Sequence, residues 1–286
     1  MTIGVPIDSV GRSGGTENAP ATLRGLGLTE ALGAHDEGDL AVRIRGEERD
    51  PETGIVASDD VLATTRAVRA AVATSLEAGQ RPFLIGGCCA ELPGALAGAR
   101  DILGAPLGLA HVDGHLDLYD GETSTTGEAA DMPISVALGL GPRAWVDEAG
   151  GVTAIPERTA LVGFRDRVEA LADGMRQPEE LVRPPLLYGA DELREGGVAT
   201  TAVNLAARLD RAGPYWLHID VDVLDETVFP ATDYLQPNGL SWEEFEAVLR
   251  PLGAAENLIG ISLACYNPDK DPDLGCGRRL VAALAG

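Results

Sequence analysis

"PLGLAHVDGHLD", residues 106–117, runs from an apolar stretch straight into three ionisable side chains on alternate positions, Asp113, His115 and Asp117. The apolar part reads as a strand buried on both faces, the pattern of a parallel sheet with helices above and below it. Charged groups directly behind such a strand mark its carboxyl end, where open α/β sheets hold their ligands. Other stretches repeat the design: "TIGVPI", "RPFLIGG", "TALVGF", "PLLYGA", "YWLHIDV" and "LIGISLA" read as further buried strands. Between them lie helical patterns, among them "APATLRGLGLTEALG", "DDVLATTRAVRAAVATSLEAG", "TTAVNLAARLDRAG" and "SWEEFEAVLRPLG". The second has Ser58 and Asp59 as cap candidates and Gly79 as its stop, and the stretch ahead of it is acidic and irregular. Strand and helix alternate over residues 1–286 without an internal repeat, which predicts an α/β fold with a mainly parallel sheet in a single domain.

Three of the strands end in unusual residues. "FLIGG" leads to Cys88 and Cys89, "GLAHV" to Asp113, His115 and Asp117, and "WLHI" to Asp220 and Asp222, all at one edge of the sheet. Residues two apart on an extended chain point the same way, so four carboxylates and an imidazole converge. Packed like charges raise one another's pKa and destabilise the fold unless a cation lies between them. Oxygen-rich sites with one or two nitrogens suit manganese or magnesium better than a structural zinc. Four carboxylates exceed what one divalent ion needs, and two ions roughly 3.5 to 4 Å apart would lower the pKa of a bridging water. Each motif alone also reads as a polar loop after a strand. His111 reads as a core histidine, His218 as a hydrogen-bond donor to a ligand, and His35 as solvent-facing.

The chain carries 45 acids against 22 bases, a formal net charge of -23, which repels phosphate backbones and anionic lipid. Nucleic acid and membrane are therefore not expected partners, whereas a cationic small molecule or a metal ion is attracted. A solvated acidic surface accounts for most of the charge. No window approaches the roughly 18 unbroken apolar residues of a membrane span, and no basic n-region opens the chain. A cytoplasmic protein is expected. Cys88, Cys89, Cys265 and Cys276 are too few and too oddly spaced for a secreted disulfide framework and read as thiols.

The residues now quoted resemble the ureohydrolases, the family of arginase, agmatinase and their relatives. Asp113-Gly114-His115-Leu116-Asp117 is similar to the family's Asp-Ala-His-x-Asp, and "HIDVDVLDETVFPAT" to its Asp-x-Asp-x-x-Asp-Pro segment. "IGVPIDSVGRSGGTENAPATLRGLGL" resembles its opening strand, Gly-Gly turn and first helix; "GGCCA" lies where the family has Gly-Gly-Asp-His-Ser, and "YNP" resembles its late Val-Asn-Pro. The resemblance implies a three-layer α/β/α sandwich, arginase-like, and hydrolysis of a carbon-nitrogen bond, other than a peptide bond, in a linear guanidino or amidino compound. It implies two manganese ions, with Asp113 and Asp220 bridging, Asp117 on one ion and His115 and Asp222 on the other. Asp117 would also orient the nucleophile. Homo-oligomers, trimers or hexamers, are implied in the same way.

The departures from the pattern are specific. Cys89 takes the place of the sixth ligand, a histidine, as in the subgroup that includes N-hydroxyarginine amidinohydrolase; a thiolate there favours zinc or iron or leaves a single-ion site. Cys88 replaces an aspartate and reads as packing. Ala130 occupies the place of a proton-shuttling histidine, and Cys265 that of the glutamate that holds the substrate guanidinium. Tyr119, Thr126 and Glu128 stand where arginases hold the amino-acid carboxylate, which Glu128 would repel. A substrate with a cationic or neutral tail is expected instead, contacted by Glu122, Glu128 or Glu169. Two alternatives stand beside this one: a non-catalytic metal-binding scaffold, and hydrolysis of a different amide or amidine bond. Cys276 begins a terminal helix that Asp273 would cap, and reads as structural.

Overall fold

A strand that is apolar on both faces has to be covered on both. In the computed structural model, which describes residues 1–286, eight strands form one parallel sheet: β1 (Thr2–Val5), β2 (Asp36–Asp39), β3 (Phe83–Gly86), β4 (Leu107–Val112), β5 (Ala154–Val162), β6 (Leu186–Tyr188), β7 (Tyr215–Asp220) and β8 (Leu258–Ala264). Their order across the sheet is β2-β1-β3-β8-β7-β4-β5-β6. Successive residues of a strand feed opposite cores. Leu107, Leu109 and Trp216 pack in one layer, with Val68 and Val72 of helix Ser58–Glu77, Leu92 and Leu96 of helix Leu92–Leu103, and Trp145. Ala110, Val112, Leu217 and Ile219 pack in the other, with Leu23, Leu205, Leu209, Phe245, Leu252 and Leu280 of the helices on that side. The result is the expected α/β/α sandwich. No helix is long and apolar enough to cross a membrane.

Local chemistry explains the boundaries. Helix Trp242–Gly253 opens with a capping box: Ser241 Oγ accepts from the Glu244 amide at 3.2 Å and the Glu244 carboxylate accepts from the Ser241 amide at 2.9 Å. Gly79 ends helix Ser58–Glu77 at φ 70°, as expected, but neither Ser58 nor Asp59 caps it; Ala57, at φ 50°, holds the cap position. The single helix expected after Asn18 is two, Ala19–Gly25 and Leu28–Ala31, because Gly27 turns the chain at φ 87°. Strand β2 arises in the stretch expected to be irregular. Its exposed "DEGD" pairs through backbone with β1, and Arg24 bridges Asp36 and Asp39. At the last helix, Gly275–Ala285, Asp271 takes the amides of Cys276 and Gly277 at 3.2 and 2.8 Å, while Asp273 reaches only Gly275 at 3.3 Å.

Four adjacent strands, β3, β8, β7 and β4, position the site. Ile85 pairs with Leu263, Asp220 with Ala264 and Val112 with Ile219, so the four carboxyl ends stop nearly level.

Candidate metal centre and substrate cavity

Residues just past those level ends meet. Cys89 leaves β3 through Gly87, where a Cβ would fall 1.8 Å from the Ile7 carbonyl oxygen, so only glycine fits. Cys89 Sγ then lies 2.8 Å from Asp220 Oδ2, 3.2 Å from His218 Nε2, 3.8 Å from Cys265 Sγ and 3.9 Å from Asp113 Oδ2. Beyond β4, Asp113 Oδ1 accepts from the His115 amide at 2.7 Å, and His115 Nδ1 stands 3.1 Å from Asp222 Oδ2. Asp220 Oδ1 accepts from the Asp222 amide at 2.8 Å and Asp222 Oδ1 from the Gly114 amide at 3.0 Å, which ties the two loops together. Asp117 and Cys265 both sit in the left-handed region, at φ 50° and 68°. Such strain in non-glycine residues is held only where the surroundings enforce it.

His111 differs from the sequence reading. It is fully buried, as a core residue is, but its Nε2 points into the acids, 3.1 Å from Asp113 Oδ2 and 3.5 Å from Asp117 Oδ2. Its ring stacks on His218 with centroids 5.2 Å apart. His35 is exposed, as expected.

The electrostatics reflect crowding. Asp113, Asp117, Asp220 and Asp222 are 1%, 7%, 2% and 3% exposed, so solvent screens little of their repulsion. Burial pushes Asp113 up, but the His111 and His115 imidazoles outweigh it and hold its carboxyl well below the usual range. Burial and then the Asp113 charge push Asp117 well above that range; burial, Asp222 and Asp113 do the same to Asp220. Burial and the neighbouring His111 press His218 down to about 3, so its ring is neutral. The nearby Arg165 spends its guanidinium on the backbone oxygens of Asp222 and Val223, at 2.8 and 3.1 Å.

This donor set fits cations. Asp117 Oδ2 and both ring nitrogens of His111 are buried without a hydrogen-bond partner. Four groups of three donors have ligand atoms within 4.8 Å of one another: Cys89, Asp220 and Cys265; Cys89, Asp113 and His218; His111, Asp113 and Asp117; Asp113, His115 and Asp222. Asp113 belongs to three of the four groups, and a carboxylate shared in this way is what a pair of divalent ions requires.

The strand ends open into a cavity of about 310 Å³. Cys89, His115, Asp117, Asp220, Asp222 and Cys265 are among its lining, as are Tyr119, Thr126, Glu128, Ala130 and Glu169. Glu122 is exposed on a neighbouring turn and is not part of that lining. Glu128 accepts hydrogen bonds from Tyr234 and Ser9, and the Tyr234 ring meets His115 edge-on at 6.2 Å. Eight aspartates and two glutamates line the cavity, with no lysine or arginine.

Comparison with known proteins gives this geometry its family. The Arginase family model matches residues 1–285. N(omega)-hydroxy-L-arginine amidinohydrolase of Streptomyces lavendulae is 31% identical over 261 residues, 90% of this chain and 84% of that enzyme. The chain belongs to the arginase family. Among solved structures, the arginase of Bacillus caldovelox shares its fold with a TM-score of 0.87 at 23% identity, over 99% of this chain and 96% of that one. Proclavaminate amidino hydrolase of Streptomyces clavuligerus shares it with a TM-score of 0.69 at 20% identity, over 99% of this chain and 89% of that one. As an arginase-family member the protein is a hydrolase of carbon-nitrogen bonds in linear amidino compounds.

The sequence reading of this arginase-family site left out Asp166. It is 5% exposed, lines the cavity, and takes the Leu116 amide on Oδ2 at 3.1 Å, while Oδ1 has no partner. Burial pushes it up to about 6. It stands four residues past β5, so the strand-end rule would have found it had "TALVGF" been followed to its end.

Proposed function

We propose that this arginase-family hydrolase cleaves a carbon-nitrogen bond of a small guanidino or amidino compound whose tail is cationic or neutral, rather than arginine itself. The single observation that carries the reading is the cavity lining, ten acids without a lysine or arginine. A guanidinium is drawn into such a lining, while the carboxylate of an amino-acid tail would meet Glu128, which Tyr234 and Ser9 hold in place. Glu169 at the rim is the second proposed contact. Cys265 offers no pair of carboxylate oxygens to a guanidinium, so the substrate is gripped from the acidic walls.

Two divalent ions, manganese by family, would be held by Asp113 and Asp220 between them, Asp117 on one side, His115 and Asp222 on the other, and Cys89 in the sixth position. When bound they supply Lewis acidity and lower the pKa of water. Asp117, whose buried Oδ2 lacks a hydrogen-bond partner, would orient the attacking water and accept its proton. Ala130 can carry no proton, so the leaving amine takes its own from water. Residues 1–286 act as one cytoplasmic domain in a trimer or hexamer.

A second reading has its own support: the Streptomyces lavendulae relative acts, by its name, on N(omega)-hydroxy-L-arginine. One assay separates the two. Agmatine, arginine and hydroxyarginine are offered to manganese-loaded protein, and urea, hydroxyurea, ammonia and free amine are measured. Agmatine is expected to give the highest kcat/KM, with urea released. Preference for arginine or hydroxyarginine overturns the tail assignment, and ammonia without urea moves the chemistry to deimination. Bound metal without turnover of any compound supports the scaffold alternative.

A further inference from the structure

Cys89 and Cys265 face one another at the strand ends, at a separation that suits a thiol–thiol hydrogen bond and equally two ligands of one ion. Their Sγ–Sγ separation is 3.8 Å. A disulfide needs about 2.05 Å. Two thiolates sharing one tetrahedral zinc, with bonds of about 2.3 Å, stand about 3.8 Å apart. The backbone holds Cys265 there at a cost: it sits at φ 68°, and its amide donates to the Gly87 carbonyl at 3.1 Å, in the turn that carries Cys89. Asp220 Oδ2, 2.8 Å from Cys89 Sγ, completes a group of three mutually close donors.

A hydrogen-bond chain points at the same sulfur. Trp216 Nε1, which can only donate, gives its proton to Ser262 Oγ at 2.9 Å. Ser262 Oγ stands 2.7 Å from His218 Nδ1 and is free to donate to it, the tautomer that puts the ring proton on Nε2, 3.2 Å from Cys89 Sγ. A buried N–H directed at sulfur favours the thiolate and fixes its orientation, as outer partners of metal ligands do.

We propose that Cys89 and Cys265 are two thiolate ligands of one metal position, with Asp220 as the third and His218 as a positioning residue. Each thiol gives its proton to solvent as it ligates. Two soft sulfurs select zinc or iron(II) over manganese at that position, while the oxygen-rich position of Asp113, His115 and Asp222 keeps the harder ion. The inference deepens the reading of this site as an amidino-hydrolase centre and rests on it.

The test is cobalt(II) loading under reductant, read as near-ultraviolet thiolate-to-cobalt absorption in the wild type, Cys265→Ser and Cys265→Gly. The glycine variant also removes the left-handed strain, so it stays informative if the serine variant folds poorly. Both variants are expected to lose about half the absorption. In dialysis against manganese in large excess over zinc, the wild type is expected to retain a higher zinc-to-manganese ratio than either variant. Full absorption in either folded variant, or a zinc-to-manganese ratio no higher in the wild type than in the variants, overturns the sulfur pair. Turnover of guanidino compounds with an unchanged cobalt spectrum sinks the pair and leaves the hydrolase reading standing. A halved spectrum in a protein that turns nothing over supports the pair and sinks the hydrolase reading.

Discussion

Asp166 shows at the level of one side chain how burial around the centre is felt. Its carboxyl is raised to about 6, first by burial, against the pull of His115 and the Leu116 amide. The unfolded chain holds the same proton only to about 3.9. Between those values the folded protein binds more protons, so stability falls as pH rises through this window. The group's contribution is complete below about pH 4 and lost above about pH 6, at most about 3 kcal/mol. Asp166→Asn cannot ionise. Urea midpoints of chelated protein, taken from about pH 4 to pH 7, are expected to fall less for the variant than for wild type; parallel profiles would show that Asp166 ionises as freely as in water. Legibility in the sequence also differs residue by residue. Asp113, His115, Asp117, Asp220 and Asp222 could be singled out because alternation behind an apolar run aims them one way. His111 was ambiguous, since a core histidine and one facing the acids are equally buried. Glu122 carries the same charge as Glu128, and charge does not tell which side of a turn a residue faces.

At the scale of elements, the turn after β3 is the hinge on which both sulfurs depend. A Cβ at Gly87 would stand 1.8 Å from the Ile7 carbonyl oxygen and 3.0 Å from that of Thr16, and both are backbone atoms that cannot swing away. Gly87→Ala is therefore expected to cost about 1 to 3 kcal/mol. Because Cys265 donates to the Gly87 carbonyl and Cys89 follows two residues later, metal affinity by calorimetric titration is expected to fall with it. Gly253→Ala is the control: a Cβ there meets nothing within 4 Å, and its effect is expected to stay within about 1 kcal/mol. Equal effects at the two glycines would remove the special role of the turn. Elements with an apolar face or stripe were the legible ones, seven of the strands and the helices at 58–77, 198–212 and 242–253. β2 was not, because an exposed acidic edge strand has no apolar alternation to read. Helix Leu92–Leu103 was not picked out because its first eight residues, Leu92 to Ala99, are all buried and carry no polar side chain to mark a face. Gly94 and Gly98 press this part against helix Ser58–Glu77, where a Cβ would come within 2.8 and 2.5 Å of the carbonyl oxygens of Thr65 and Arg69.

Across the whole molecule, the strand ends that meet come from opposite parts of the chain, β3 and β4 from its first half and β7 and β8 from its second. Cations between Asp113, Asp117, Asp220 and Asp222 would thus cross-link the middle of the sheet, in a chain whose net charge of -23 otherwise favours expansion. An ion held at a thousand times its Kd stabilises by about 4 kcal/mol, roughly 10 °C in a chain of this size. Dialysis against a chelator is expected to lower Tm by that order, and manganese or zinc to restore it. Added sodium chloride is not expected to substitute, because repulsion among buried acids is screened far less than that among surface charges. Mild acid should recover part of the loss, since Asp117 and Asp220 are already pushed well above the usual carboxylate range and protonate readily. Asp113→Ala removes the carboxylate common to three of the four donor groups, and its Tm is expected to stop responding to metal. A wild-type Tm indifferent to chelation would mean that the four acids are tolerated as protonated neighbours and that the sheet needs no ion to close its centre.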